Sequence, residues 1–152
     1  MRPGLFTELF FLDEATAMAA GHRPCFECRR PDAERYASLW NQAHHQPGRA
    51  SAPAMDLRLH AERIDAQHAK ITYRDRLENL PDGTIVRHMS QPHLVQSSSL
   101  LPWSFTGYGP PVKIAPPTEV TILTPTTTVA ILKLGYRPDQ HHTSQSPMIK
   151  TP

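Results

Sequence analysis

Sixteen prolines in 152 residues set the limits of what this chain can fold into. They crowd after Gln46 and after Leu101. A proline lacks a backbone donor and clashes with the preceding helical turn, so long helices are expected only in the first half. The second half is left to short strands and turns. The fold class this predicts is α+β: a helical N-terminal half around a C-x-x-C turn, then a small antiparallel sheet and a closing helix. The length suits one domain, or one domain with loose ends, and 39% hydrophobic residues supply a modest core. The expected divisions are a helical region over 1–80, a β region with its C-terminal helix over 81–138, and a disordered tail over 139–152.

In chain order, Leu5 to Leu12 is apolar and reads as a buried strand or lead-in. It begins abruptly, as expected equally of a true start and of a downstream methionine in a longer reading frame. Asp13 is placed to cap a short alanine-rich helix over Glu14 to Ala20. Gly21 is placed to stop it in the left-handed region, and Pro24 forbids continuation. Pro31 suits the first turn of a second helix, with Asp32 and Glu34 near its positive end. Ala33, Tyr36, Ala37, Trp40 and Ala43 mark its apolar face to about His44, which makes Tyr36 and Trp40 core residues. Residues 46–53 are loop by composition. A third helix is expected over Ala54 to Ala69, with Leu57, Ala61, Ile64 and His68 on one face and Arg58 paired with Glu62. Tyr73 to Leu80 is expected to add a helical turn.

Pro81-Asp82-Gly83 is a turn, after which the period changes to that of strands. Strands are expected over Thr84 to Met89, His93 to Gln96 and Leu100 to Phe105, with a turn at Gln91-Pro92 and Trp103 packing on one face. Gly107 to Pro117 reads as loop, Glu119 to Leu123 as strand, and Thr126 to Leu134 as a helix ended by Gly135. The stretches Ala17–Pro24 and Ile131–Pro138 share one plan: short helix, glycine stop, aromatic-type residue, Arg-Pro. Shared helix-stop grammar accounts for the echo.

The chemistry is concentrated in Arg23-Pro-Cys-Phe-Glu-Cys-Arg-Arg30. A lone cysteine pair does not make a secreted disulfide framework. The N-terminus lacks a signal-peptide plan, and no run approaches the ~18 apolar residues of a membrane span. The expected setting is the cytoplasm, where thiols stay reduced. Spacing alone leaves three readings of Cys25 and Cys28 open: metal ligands, a redox pair, or two free thiols. Nearby arginines favour the thiolates that a metal requires. Further ligands would be histidine, carboxylate or an upstream segment; the histidine candidates are His22, His44, His45, His60 and His68, although no pair has the spacing that completes familiar zinc fingers. A net charge of +2 is too small to imply nucleic acid globally. Locally, Arg23, Arg29, Arg30 and Arg35 form a basic cluster able to meet phosphates. No phosphate loop, nucleophile elbow or supported carboxylate pair is present.

The stretch FFLDEATAMAAGHRPCFECRRPD, residues 10–32, resembles the second half of the metal-binding domain of Ada-type methylphosphotriester DNA repair proteins. The shared pattern is a phenylalanine-led strand, an alanine-rich helix, Ala-Ala-Gly-x-Arg-Pro-Cys-x-x-Cys, then a basic residue, Pro and Asp. The resemblance implies that Cys25 and Cys28 are a second pair of zinc thiolates and that Arg23 lies near a nucleic-acid phosphate. That family carries an earlier cysteine pair, one member of which accepts the methyl group. This chain has no cysteine before Cys25, so the sacrificial transfer is not expected of it. The C-terminal stretch, LPDGTIVRHM to LGYRP, resembles that of bacterial proteins carrying the same GHRPC-x-x-C segment, which implies no activity. The resulting expectation is a small zinc-binding protein, associated with DNA or RNA and without catalysis of its own. The alternatives are a metal-free interaction module on an Ada-like scaffold and a fragment of a longer metal-dependent enzyme.

Overall fold

A computed structural model of the chain describes residues 10–145. The fold is α+β. Four helices, α1 (Glu14–Ala19), α2 (Arg30–Ala43), α3 (Ala52–Arg63) and α4 (Thr126–Lys133), accompany seven strands. These are β1 (Tyr73–Arg76), β2 (Ile85–His88), β3 (Gln91–Gln96), β4 (Ser99–Ser104), β5 (Gly107–Tyr108), β6 (Val112–Lys113) and β7 (Glu119–Ile122). The sheet order is β1-β7-β2-β3-β4-β5, with β6 also on β4, and every pair is antiparallel. Among the described residues, no helix is long and apolar enough to cross a membrane.

The central strands are buried on both faces. Successive side chains of a strand point to opposite sides, and Ile85/Val86, Leu94/Val95 and Leu101/Leu100 divide accordingly. Val86, Val95 and Leu100 pack with Val120, Ile122 and Val129. Ile85, Leu94 and Leu101 meet Ala15, Ala19 and Tyr108, which sets α1 against that face. A third cluster joins the helices: Met18, Tyr36, Trp40, Met55, Leu59, Ile131, Leu132 and Tyr136. Helix α4 therefore bridges layers, with Val129 toward the sheet and Ile131 and Leu132 toward α2 and α3.

Asp13 caps α1, accepting a hydrogen bond from the Thr16 amide at 2.9 Å. Both glycine stops close in the same way. The amides of Gly21 and His22 donate to Met18 and Ala17, and those of Gly135 and Tyr136 donate to Leu132 and Ile131. This is the paired 5→2 and 6→1 bonding of a left-handed helix cap, with φ of 85° at Gly21 and 99° at Gly135.

Several expectations are corrected. Helix α3 ends at Arg63, not Ala69, because the Asp65 carboxylate accepts the amides of Gln67 and Ala69 and curls the chain into a turn. Its buried residues are Met55 and Leu59, whereas Leu57 is 73% exposed. Residues 73–76 form strand β1 on β7 rather than a helical turn, which follows only at Leu77–Asn79. The β2–β3 reversal lies at Met89-Ser90, and Gln91 and Pro92 already belong to β3. The 107–117 loop contributes the two short strands β5 and β6. Of the lead-in expected over Leu5–Leu12, residues 5–9 lie outside the described residues, and Phe10 and Phe11 are in no strand. The expected disorder from 139 onward does not hold for 139–145. There the Asp139 and His141 amides donate to Glu14 and Asp13 at 2.7 and 3.1 Å, and Thr143 Oγ1 accepts the Tyr108 amide at 2.8 Å. Residues 146–152 lie outside the described residues.

Candidate metal and nucleic-acid site

The cysteines sit in a single turn between α1 and α2. Gly21 ends α1, Pro24 holds the exit extended, and Pro31 fixes the first turn of α2. Between them the Arg29 amide donates to the Cys25 carbonyl at 2.9 Å, and the Glu27 amide donates to Cys25 Sγ at 3.4 Å. Both thiols are exposed. Hydrogen bonds from the amide and thiol of Cys28, then from the Glu27 amide, lower the Cys25 pKa. The same thiol–thiol hydrogen bond, and the charge it faces on Cys25, raise that of Cys28.

The arginines around this turn are differently engaged. Arg23 makes a two-pronged pair with Asp56 of α3, at 2.8 and 2.9 Å. Arg29 reaches Glu14, Asp32 and Asp139 at 3.0, 2.7 and 3.0 Å. Arg35 donates to the Gly135 carbonyl. Arg30 is exposed and has only Glu34, at 3.8 Å. Phe26, between the cysteines, lies under two guanidiniums, Arg23 at 5.3 Å and Arg49 at 4.8 Å from its ring centre. Among the described residues, Arg49 has no carboxylate partner.

The histidines divide. His22 lines both clefts that flank Cys25. Its ring lies 5.0 Å from that of Phe11, and burial, then Arg63, lower its pKa. His60 lines the second cleft with Asp56 and Arg63. His44 and His45 follow the far end of α2, roughly 20 Å along the axis from its start. There His44 meets the Trp40 ring edge-on and Thr127 Oγ1 at 3.2 Å, and His45 adopts φ of 50°. His68 occupies the turn after α3, with φ of 60°.

Among the described residues, no three His, Cys, Asp or Glu side chains converge to hold a metal ion. A structural zinc site takes four ligands, so the described residues fit half of one. Asp56, Arg49, Arg63 and Asp139 were not singled out by sequence, since nothing local marks a residue whose partner lies 33 or 110 positions away. Comparison with models of known protein families, with curated proteins and with solved structures finds no match.

Proposed function

We propose that this is a small zinc-binding protein associated with DNA or RNA, with no catalysis of its own, in a reducing cytoplasmic setting. Cys25 and Cys28 are two of the zinc ligands. The observation that carries the reading is the turn itself: two exposed thiols lie three positions apart in one turn, and the Glu27 amide donates to Cys25 Sγ. Such a turn is prepared to hold charge on sulfur before any metal arrives. The resemblance of residues 10–32 to the second half of the Ada-type domain supports the same assignment and a helical N-terminal half built around the turn. Residues 1–9 and 146–152 contain neither cysteine nor histidine. The other two ligands are drawn from His22, His60 or a carboxylate after rearrangement, or from another polypeptide segment.

Nucleic-acid contact falls on Arg30, exposed with only Glu34 at 3.8 Å, and on Arg49, which has no carboxylate partner among the described residues. Arg23 and Arg29 act as positioning residues. Zinc content of protein purified without chelator tests the metal reading. Bound zinc that is lost in Cys25→Ser is expected; background zinc, with unchanged folding in chelator, overturns it in favour of the metal-free module. That second reading is favoured by the hydrogen bonds that the Asp13 and Glu14 carboxylates accept from Tyr136, Asp139 and His141, which hold α1 without metal. For nucleic acid, fluorescence anisotropy of a labelled single-stranded oligonucleotide should show binding that weakens with salt. Arg30→Gln with Arg49→Gln should abolish it, and an equal loss in Arg87→Gln, on the sheet, would refute this placement.

A further inference from the structure

We propose that Cys25 and Cys28 also form a reversible dithiol–disulfide site, which exchanges with small disulfides reaching Cys25 through the adjoining clefts. The proposal goes beyond the zinc reading and does not rest on it, since it needs only the two thiols.

The backbone is already in the required shape. The hydrogen bond from the Arg29 amide to the Cys25 carbonyl closes one helical turn over residues 25–29. Positions three apart in such a turn have Cα atoms about 5 Å apart, within the 4.4–6.8 Å range over which disulfides form. Both thiols are exposed. Closing the bond takes side-chain rotation without displacing α2.

The pair is asymmetric in access. Cys25 lines both a cleft of about 460 Å³ and one of about 520 Å³, whereas Cys28 lines neither. The first cleft has an apolar side formed by Phe11, Leu12 and Met18, and a rim carrying both Glu14 and Arg29. Glu14 and Arg29 on that rim are paired with each other at 3.0 Å, so the cleft offers a small disulfide chiefly its apolar side. Cys25 is therefore the attacking residue and Cys28 the resolving one.

The exchange balances in two steps. The Cys25 sulfur, as thiolate, attacks one sulfur of the substrate disulfide. A Cys25–substrate disulfide forms and a substrate thiolate leaves, taking up the proton that Cys25 gave to solvent. The Cys28 thiol then gives its proton to solvent and attacks Cys25 Sγ, expelling the second substrate thiolate, which takes up a proton, and closing the Cys25–Cys28 bond. Two electrons pass from the cysteine pair to the small disulfide, which becomes two thiols. Closed in this way, the pair has no thiolate left for a metal.

The experiment uses the full-length, chelator-treated chain in buffers of reduced and oxidised glutathione, with acid quenching, alkylation and intact mass spectrometry. The expected product has lost two hydrogens, accepts no alkylating agent, and returns to the dithiol with dithiothreitol. Cys28→Ser should accumulate a stable glutathione adduct on Cys25, and Cys25→Ser should form its adduct several-fold more slowly. Circular dichroism checks that both variants fold. Absence of the closed disulfide in wild-type protein under excess oxidised glutathione overturns the proposal. Equal adduct rates in the two variants overturn the assignment of Cys25 as attacker. Zinc binding is measured separately under reducing conditions, so failure of either reading leaves the other testable.

Discussion

Leu59 is fully buried among Tyr36, Trp40 and Met55, and Leu57, two positions earlier, is in solvent. Leu59→Ala should cost about 2–5 kcal/mol through lost transfer energy and an unfilled cavity. Leu57→Ala should stay within about 0.5 kcal/mol, and urea unfolding curves of the two variants check the contrast. The sequence pointed the other way for a definite reason. Ile64 and His68 extended the Leu57–Ala61 stripe and outvoted Leu59, yet both lie beyond the end of α3, where the Asp65 turn has already left the helix. The partners of the basic cluster were hidden for a similar cause. Arg23 and Arg29 stand out locally, and the carboxylates that engage them, Asp56, Glu14 and Asp139, become neighbours only on folding.

Two hairpins show which turn chemistry the sequence leaves visible. The loops Met89-Ser90 and Ser97-Ser98 have positive φ at all four positions, from 47° to 66°. Positive φ at both loop residues is the requirement of the type I′ turn that joins strands with two residues. Its usual signature, Asn-Gly, is absent, so Gln91-Pro92 drew the expected turn two residues late. Non-glycine residues in this region carry a backbone cost of roughly 1–2 kcal/mol each. Replacing Met89-Ser90 with Asn-Gly should therefore stabilise the protein by about 1 kcal/mol, seen as a raised urea midpoint. Helix α4, by contrast, was legible nearly to the residue, because Pro125 and Gly135 bracket it. What its sequence does not reveal is the cap. Pro125 has no capping side chain, and Glu62 of α3 serves instead, accepting the Thr127 amide at 2.8 Å and the Thr127 hydroxyl at 2.6 Å. Burial raises the Glu62 pKa, but these bonds and Arg58 outweigh it and the net shift is downward. Glu62→Gln should cost about 1 kcal/mol, and should do so in thermal unfolding at neutral pH.

For the molecule as a whole, the sheet and its order across β1 and β7 were the least legible features, since strand pairing over 43 to 49 positions leaves no local trace. The histidines set the response to acid. His93 in β3 and His44 after α2 both have lowered pKa values, in each case chiefly through burial. A group whose folded pKa lies below its unfolded value of 6.5 takes up its proton first in the unfolded chain. Its contribution is complete above 6.5 and is lost as pH falls below it toward the folded value. The urea midpoint should decline from about pH 7.5 to about pH 5.5, and less steeply in His93→Gln. Finally, the hydrogen bonds between residues 13–14 and 139–141 have a topological consequence. The Glu14 amide meets the Asp139 carbonyl at 3.1 Å, so two stretches 125 positions apart in the chain run side by side. A short linker from residue 142 back to residue 12, with new ends opened at the exposed Pro47–Gly48 bond, would give a circular permutant. It should fold to the same core, with the cysteine turn and the sheet exchanging their order in the chain.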